Sequence, residues 1–177
     1  MIFVTVGTTL PFDDLIRHVD HLVESGALRD PVVCQIGTGK YRPRHCRFFT
    51  FQPSLDPWYR RASVVVAHGG TGTVLELLRM QKPFVAVANP LAVDDHQVQF
   101  LSKLESVDSV LWCRELTDLP GYIREARRYR ARGLPFHSLA LHLMERIEKE
   151  GDGKVGEPLG RVLTNRFMSR NGKGRSA

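Results

Sequence analysis

His68, Gly69, Gly70, Thr71, Gly72, Thr73 and Glu76 are the residues whose types and spacing could do chemistry. Three glycines stand within four residues, threonines flank Gly72, and an acid follows Thr73 three positions on. Glycine lets a backbone come close to a ligand, and the first turn of a helix carries N–H groups with no internal partner. Those donors, with the positive end of the helix dipole, favour a phosphate or diphosphate. Thr71 and Thr73 add hydroxyls. Glu76, one turn into the helix and expected on its exposed side, is placed to accept hydrogen bonds from a ribose diol. A tight turn with a capped helix would use the same glycines. The conjunction of glycines, threonines and acid favours the anion site.

That site needs a strand before it and a helix after it. Val64 to Ala67 is a short apolar, β-branched run that reads as a strand buried on both faces. Val74, Leu77 and Leu78 fall at helical spacing in a helix expected from Thr73 to Gln81, with Lys82-Pro83 at the turn. The same alternation runs along the chain. Strands are expected at Ile2 to Val6, Val32 to Ile36, Arg47 to Phe51, Phe84 to Ala88 and Ser109 to Cys113. Helices are expected at Asp13 to Ser25, Leu55 to Arg61 with Trp58 inward, and from a cap at Asp94 to Leu104 with Val98, Leu101 and Leu104 inward. Continuous apolar strands alternating with helices predict an α/β fold, a parallel sheet with helices on both faces. In such sheets ligands bind beyond the carboxyl ends of the strands. Three polar loops leave those ends: Gly7-Thr8-Thr9, His68 to Thr73, and Asn89 to Gln97.

The 177 residues, 42% hydrophobic and 25% charged, suit one globular domain, placed at 1–150. Glycine and scattered charge replace periodicity over 151–177, which reads as a basic, disordered tail. That tail carries six Lys/Arg against two Asp/Glu, so most of the net charge of +6 belongs to it. A nucleic-acid partner would want basic residues on a folded face, so none is expected. A basic helix is predicted from Asp118 to Arg132 and an amphipathic one from Leu139 to Ile147. No apolar run is long enough to span a bilayer, and a strand opens the chain where a signal peptide would stand. Both features predict a cytoplasmic protein. Cys34, Cys46 and Cys113 form no C-x-x-C pair, and Cys34 and Cys113 read as buried thiols.

Several motifs together carry a family resemblance over Met1 to about Arg132. They are Ile2-Phe-Val-Thr-Val-Gly7-Thr8-Thr9 with Phe12-Asp13, Ala67-His-Gly-Gly-Thr-Gly-Thr-Val-Leu-Glu76, Lys82-Pro83, and Asp95-His96-Gln97. The chain resembles the carboxy-terminal donor domain of family 28 glycosyltransferases. It is most similar to the stand-alone versions: the catalytic subunit of the GlcNAc transferase of N-glycan assembly and the E-type subunits of bacterial exopolysaccharide and capsule synthesis. The resemblance implies a Rossmann-like sheet, one half of a GT-B enzyme, that binds a UDP-sugar. It implies that Gly69, Gly70, Thr71, Gly72 and Thr73 hold the diphosphate with His68 beside it, and that Glu76 takes the ribose. Asp95, His96 and Gln97 would face the sugar, and the backbone of Phe51-Gln52 would read the uracil edge. Gly7 and Thr8 would line the cleft where an acceptor-binding half closes. It further implies hexosyl transfer to a polyprenyl-linked acceptor brought by a membrane-anchored partner subunit, which would recruit this chain to the cytoplasmic face of the membrane.

A leaving diphosphate must be stabilised as charge builds on it, and a helix N-terminus does this without a metal. No acidic D-x-D triplet is present; Asp13-Asp14 and Asp94-Asp95 read as helix-start pairs, so neither metal nor cofactor is expected. The general base stays unassigned: His68 and His96 are local candidates, and in the full-length relatives the base lies on the half that is missing here. An arginine near the sugar would favour glucuronate, and Arg42, Arg44 and Arg60 are the candidates. A non-catalytic subunit that stabilises a partner transferase is the competing reading. A Rossmann oxidoreductase is excluded by pattern, because Val6 to Pro11 lacks G-x-G-x-x-G and the second strand ends Gln35-Ile36-Gly37 without an acid.

Overall fold

The computed structural model describes residues 1–92 and 95–129. The Asp94 cap, the end of the predicted basic helix, the Leu139 to Ile147 helix and the tail lie outside the described residues. Strands β1 (Ile2–Thr5), β2 (Val32–Gln35), β3 (Arg47–Phe49), β4 (Val64–His68), β5 (Phe84–Val87) and β6 (Leu111–Trp112) form one sheet in the order β3-β2-β1-β4-β5-β6. Every pairing is parallel. The helices are α1 (Asp13–Glu24), α2 (Asp56–Arg61), α3 (Thr71–Arg79), α4 (His96–Glu105) and α5 (Leu119–Ala126), the last entered through a 3-10 turn at Leu116–Asp118.

β1, β2 and β3 step outward in one direction, and β4, β5 and β6 in the other. Right-handed crossovers then place helices on opposite faces. On one face Ile2, Val4, Val64, Val66, Val85 and Val87 pack with Leu15, Ile16 and Val19 of α1 and with Leu119, Ile123 and Ala126 of α5. Alternation along the strands sends Phe3 and Val65 to the other face. There Phe3 stacks on Phe49 and Trp58 and meets the edge of Tyr59. Each fully buried Val, Leu or Ile contributes roughly 1.5–3 kcal/mol, so the two layers supply the main driving force. Gly26, at φ +75°, ends α1 as expected of a left-handed stop.

Five of the six strands are one to three residues shorter than the runs that predict them, and β4 runs one residue longer, to His68. One packing expectation and one helix start change. On α2 Trp58 packs inward on Phe3 and Phe49 as expected, and Tyr59 beside it, only 1% exposed, also fills the core. On α4 Val98 faces outward at 40% exposure and Phe100 is buried in its place, in a helix that starts at His96 after a left-handed Asp95 (φ 51°). On α3 the helix begins at Thr71, two residues before the expected start at Thr73, with Gly70 as its N-cap. All three cysteines are buried and free.

The β2–β3 connection, the basic loop Lys40 to Arg47, is folded around Asp20 of α1. The carboxylate of Asp20 accepts hydrogen bonds from the Tyr41 hydroxyl at 2.9 Å and from the N–H groups of Arg44 at 2.9 Å and His45 at 2.7 Å. Burial alone pushes its pKa up, but these donors outweigh burial and hold it below the ordinary value.

Candidate functional site

The strand order reverses between β1 and β4, which pair directly. The turns that leave these two strands, Gly7-Thr8 and His68 to Gly70, therefore stand side by side at the carboxyl edge, the place where open α/β sheets bind ligands. His68 joins the two turns. A Cβ on Gly7 would lie 2.7 Å from His68 Cε1, and a Cβ on Gly70 would lie 2.3 Å from His68 Nε2. The imidazole is thus wedged between two glycine backbones, and neither position tolerates a side chain. Burial pushes the His68 pKa below its ordinary value, with the Thr5 carbonyl pulling partly back, so the ring is neutral at pH 7.

The three glycines of the loop serve three purposes. Gly69 donates its N–H to the Val87 carbonyl at 2.8 Å, and a Cβ there would meet Leu101 Cδ1 at 2.9 Å and Gln97 Oε1 at 3.1 Å. Its lack of a side chain lets α4 approach β4. Gly70 makes room for His68. Gly72 is exposed, and a Cβ on it would meet nothing within 4 Å. The protein's own packing therefore gives no reason for glycine at 72, in a helical first turn where glycine costs about 1 kcal/mol relative to alanine. No side chain caps α3, and its first turn carries no acid. Its leading N–H groups and dipole are thus available to an anion from outside.

Glu76 is half-buried, which corrects the expectation that it lies on the exposed side of α3. The reason is Tyr59 of α2. Burial pushes the Tyr59 phenol far up, the Glu76 and Asp56 carboxylates add to this, and a hydrogen bond with the Thr73 side chain pulls back. Thr73 and Glu76, three residues apart on one helical face, thus share Tyr59 as a neighbour. Sequence reasoning missed Tyr59, whose only signal is its place beside the flagged Trp58.

On the β3 side, Phe51 is 64% exposed and Gln52 is half-buried. The side-chain oxygen of Gln52 accepts the Trp58 indole N–H at 2.6 Å. On the β5 side, Asp95 and His96 are exposed and Gln97 is half-buried. Gln97 Oε1 accepts the Asn89 N–H at 2.9 Å, while Asn89 Nδ2 donates to the Pro11 carbonyl at 3.0 Å and so ties this loop to the β1 turn. Asn89, Asp95, Gln97, Trp112 and Arg114 border a cleft of about 360 Å³. Arg114 lies over the Trp112 ring at 3.8 Å and makes two bonds, 2.9 and 2.6 Å, to Glu105.

The sheet edge thus gathers Gly7, Thr8, His68 and Gly69 to Thr73, with Glu76 one turn further in. Phe51-Gln52 and Asp95 to Gln97 stand beyond the ends of β3 and β5, on either side of this centre. Among the described residues no group of three or more His, Cys, Asp or Glu could hold a metal, and no helix is long and apolar enough to cross a membrane.

Residues 1–130 match the model of the glycosyltransferase family 28 C-terminal domain. The chain is 34% identical over 123 residues to the human UDP-N-acetylglucosamine transferase subunit ALG13, an alignment that covers 63% of this chain and 11% of the human protein. It is 28% identical over 148 residues to the subunit of the same name from Yarrowia lipolytica, covering 73% of this chain and 72% of that one. This chain therefore spans about a tenth of the human relative's length. The crystal structure of Acinetobacter baumannii MurG shares the fold at a TM-score of 0.54 and 20% identity, covering 83% of this chain and 49% of that one.

Proposed function

The chain belongs to the family of the glycosyltransferase family 28 C-terminal domain, and from this premise we propose that it is the donor-binding, catalytic subunit of a two-subunit UDP-glycosyltransferase. The observation that carries the reading is the β4–α3 junction: an uncapped helix start without acids, set at the point where the strand order reverses, with Glu76 one turn in. The diphosphate would lie against the amides of Gly70 to Thr73 and the ribose against Glu76. The uracil would lie against the backbone of Phe51-Gln52, and the sugar against Gln97, Asp95 and His96. As the glycosidic bond to the diphosphate breaks, the α3 N-terminus offsets the charge that builds on the leaving group.

His68 is held neutral and wedged between glycines, which suits a spacer better than a proton carrier. The base that takes the acceptor hydroxyl's proton is then supplied by a membrane-anchored partner, along with the polyprenyl-linked acceptor, at the cytoplasmic face of the membrane. The named relatives make UDP-N-acetylglucosamine the first donor to test. Arg114, the arginine at the sugar-side cleft, is committed to Glu105, which supports a neutral hexosyl unit over glucuronate. Assembly of an exopolysaccharide or capsule is the setting that the resemblance to E-type subunits suggests.

The test is to co-purify the chain with its partner and assay a panel of UDP-sugars on a lipid-diphosphate acceptor. Glu76→Ala should lower turnover about tenfold to a hundredfold, the range expected for lost hydrogen bonds to a charged group. Unchanged turnover in Glu76→Ala would instead support a stabilising, non-catalytic subunit.

A further inference from the structure

We infer that Gln35 is a positioning residue for the nucleotide: a buried amide at the end of β2 that fixes the glycine turn after β1 against the chain after β3. The inference rests on the nucleotide-binding reading above. Gln35 is 1% exposed. Its Nε2 donates to the Gly7 carbonyl at 2.8 Å and to the Thr50 carbonyl at 3.0 Å, and its Oε1 accepts from the Thr5 hydroxyl at 2.7 Å. Both amide hydrogens are therefore used, and on two different loops. The arrangement has one orientation, since a reversed amide would set its oxygen against two carbonyl oxygens.

The two carbonyls belong to the two places the nucleotide reading needs. Thr50 is the residue before Phe51-Gln52, whose backbone would read the base. Gly7, at φ +75°, abuts His68, and His68 abuts Gly70 at the start of α3. A Cβ on Gly37 would stand 2.3 Å from the Gly7 carbonyl oxygen, so the turn is pressed in from that side too. Burying an amide in a strand otherwise filled by Val32, Val33 and Cys34 carries a desolvation penalty that a network must offset. What the network gives in return is a set spacing between base-side and phosphate-side loops. The α3 start is held independently, by β4 pairing and by the Gly69 N–H on the Val87 carbonyl. Loss of the clamp should therefore loosen base recognition and spare phosphate recognition.

The experiment is calorimetry on the full chain with two probes, UDP and inorganic pyrophosphate, for wild type, Gln35→Met, Thr5→Val and the double variant. Gln35→Met keeps the length and removes the amide. Thr5→Val keeps the shape and removes the hydroxyl that orients it, so the test survives if Gln35→Met fails to fold. Gln35→Met should weaken UDP about tenfold or more and leave pyrophosphate within about twofold. Thr5→Val should shift UDP the same way by less, and the double variant should match Gln35→Met, since the two act through one amide. In the assembled transferase the donor KM should rise while kcat holds. UDP affinity unchanged in both single variants, or UDP and pyrophosphate weakening in parallel, would overturn the clamp. Wild type that binds neither probe would overturn the nucleotide reading itself, a result distinct from wild type binding UDP and Gln35→Met binding it equally.

Discussion

The β1–β3 half of the sheet and the β4–α3 junction both collect backbone N–H groups around a place for negative charge, and they fill it differently. In the first, Asp20 brings its own carboxylate to the N–H groups of Arg44 and His45, and Asp13 does the same for Lys40 at 3.1 Å. Gln35 donates to the Gly7 and Thr50 carbonyls. In the second, α3 begins with a glycine cap and no acid, and no side chain reaches back to it. Polar groups that the protein satisfies from within build structure. A donor cluster that its own sequence leaves without an acid stays open to a ligand, as the proposed function requires of the α3 start.

The largest expected effect breaks the open junction. Gly70→Val drives a side chain into the His68 ring and displaces the α3 start. UDP affinity should fall by about a hundredfold or more, as misplaced contacts of this kind do. Asp20→Asn breaks the closed half instead: chemical denaturation should show a loss of about 1–3 kcal/mol, with UDP affinity within about twofold. The sign follows from the depressed pKa. Asp20's contribution is complete above the unfolded carboxylate value and is lost as pH falls through the lower folded one, so wild type and Asp20→Asn should converge in acid.

Gly72→Ala sharpens the comparison, because stability and binding should move in opposite directions. The Cβ meets nothing, so the helix should gain about 0.5–1 kcal/mol in thermal or chemical denaturation. On the proposed function UDP affinity should drop, since the methyl would enter the space proposed for the diphosphate. If affinity held while stability rose, Gly72 would have no ligand to make room for.

The smallest effect concerns His68. Its folded pKa lies below the unfolded value near 6.5, so the unfolded chain takes up the proton first. Stability is therefore full above that value and declines as pH falls through the window toward the folded one. His68→Gln should flatten the difference between pH 7 and pH 5 by less than about 1 kcal/mol. Part of the slope remains, because burial lowers His18 as well.

The strand, glycine loop and helix from Val64 to Glu76 were legible in the chain because their signals are local. A β-branched run, three glycines and apolar residues at helical spacing all act within about one turn of themselves. The parallel sheet was legible for a similar reason, since strands buried on both faces read as unbroken apolar runs. The partners of the buried polar groups were not. Gln35 reaches Gly7 across 28 residues, and Asn89 reaches Pro11 across 78. Tyr59 lies under Thr73 and Glu76 because β3 crosses over to β4 through α2, and His68 sits against Gly7 because β1 and β4 are neighbours. No periodicity records which strands are neighbours. An amide or a ring buried at a strand end takes its meaning from the loops that the strand order brings to it. The sequence by itself thus determined that a glycine turn joins a buried strand to a helix, and where it lies. Only the tertiary structure decided which side chains brace it, because those contacts exist only once the sheet has closed.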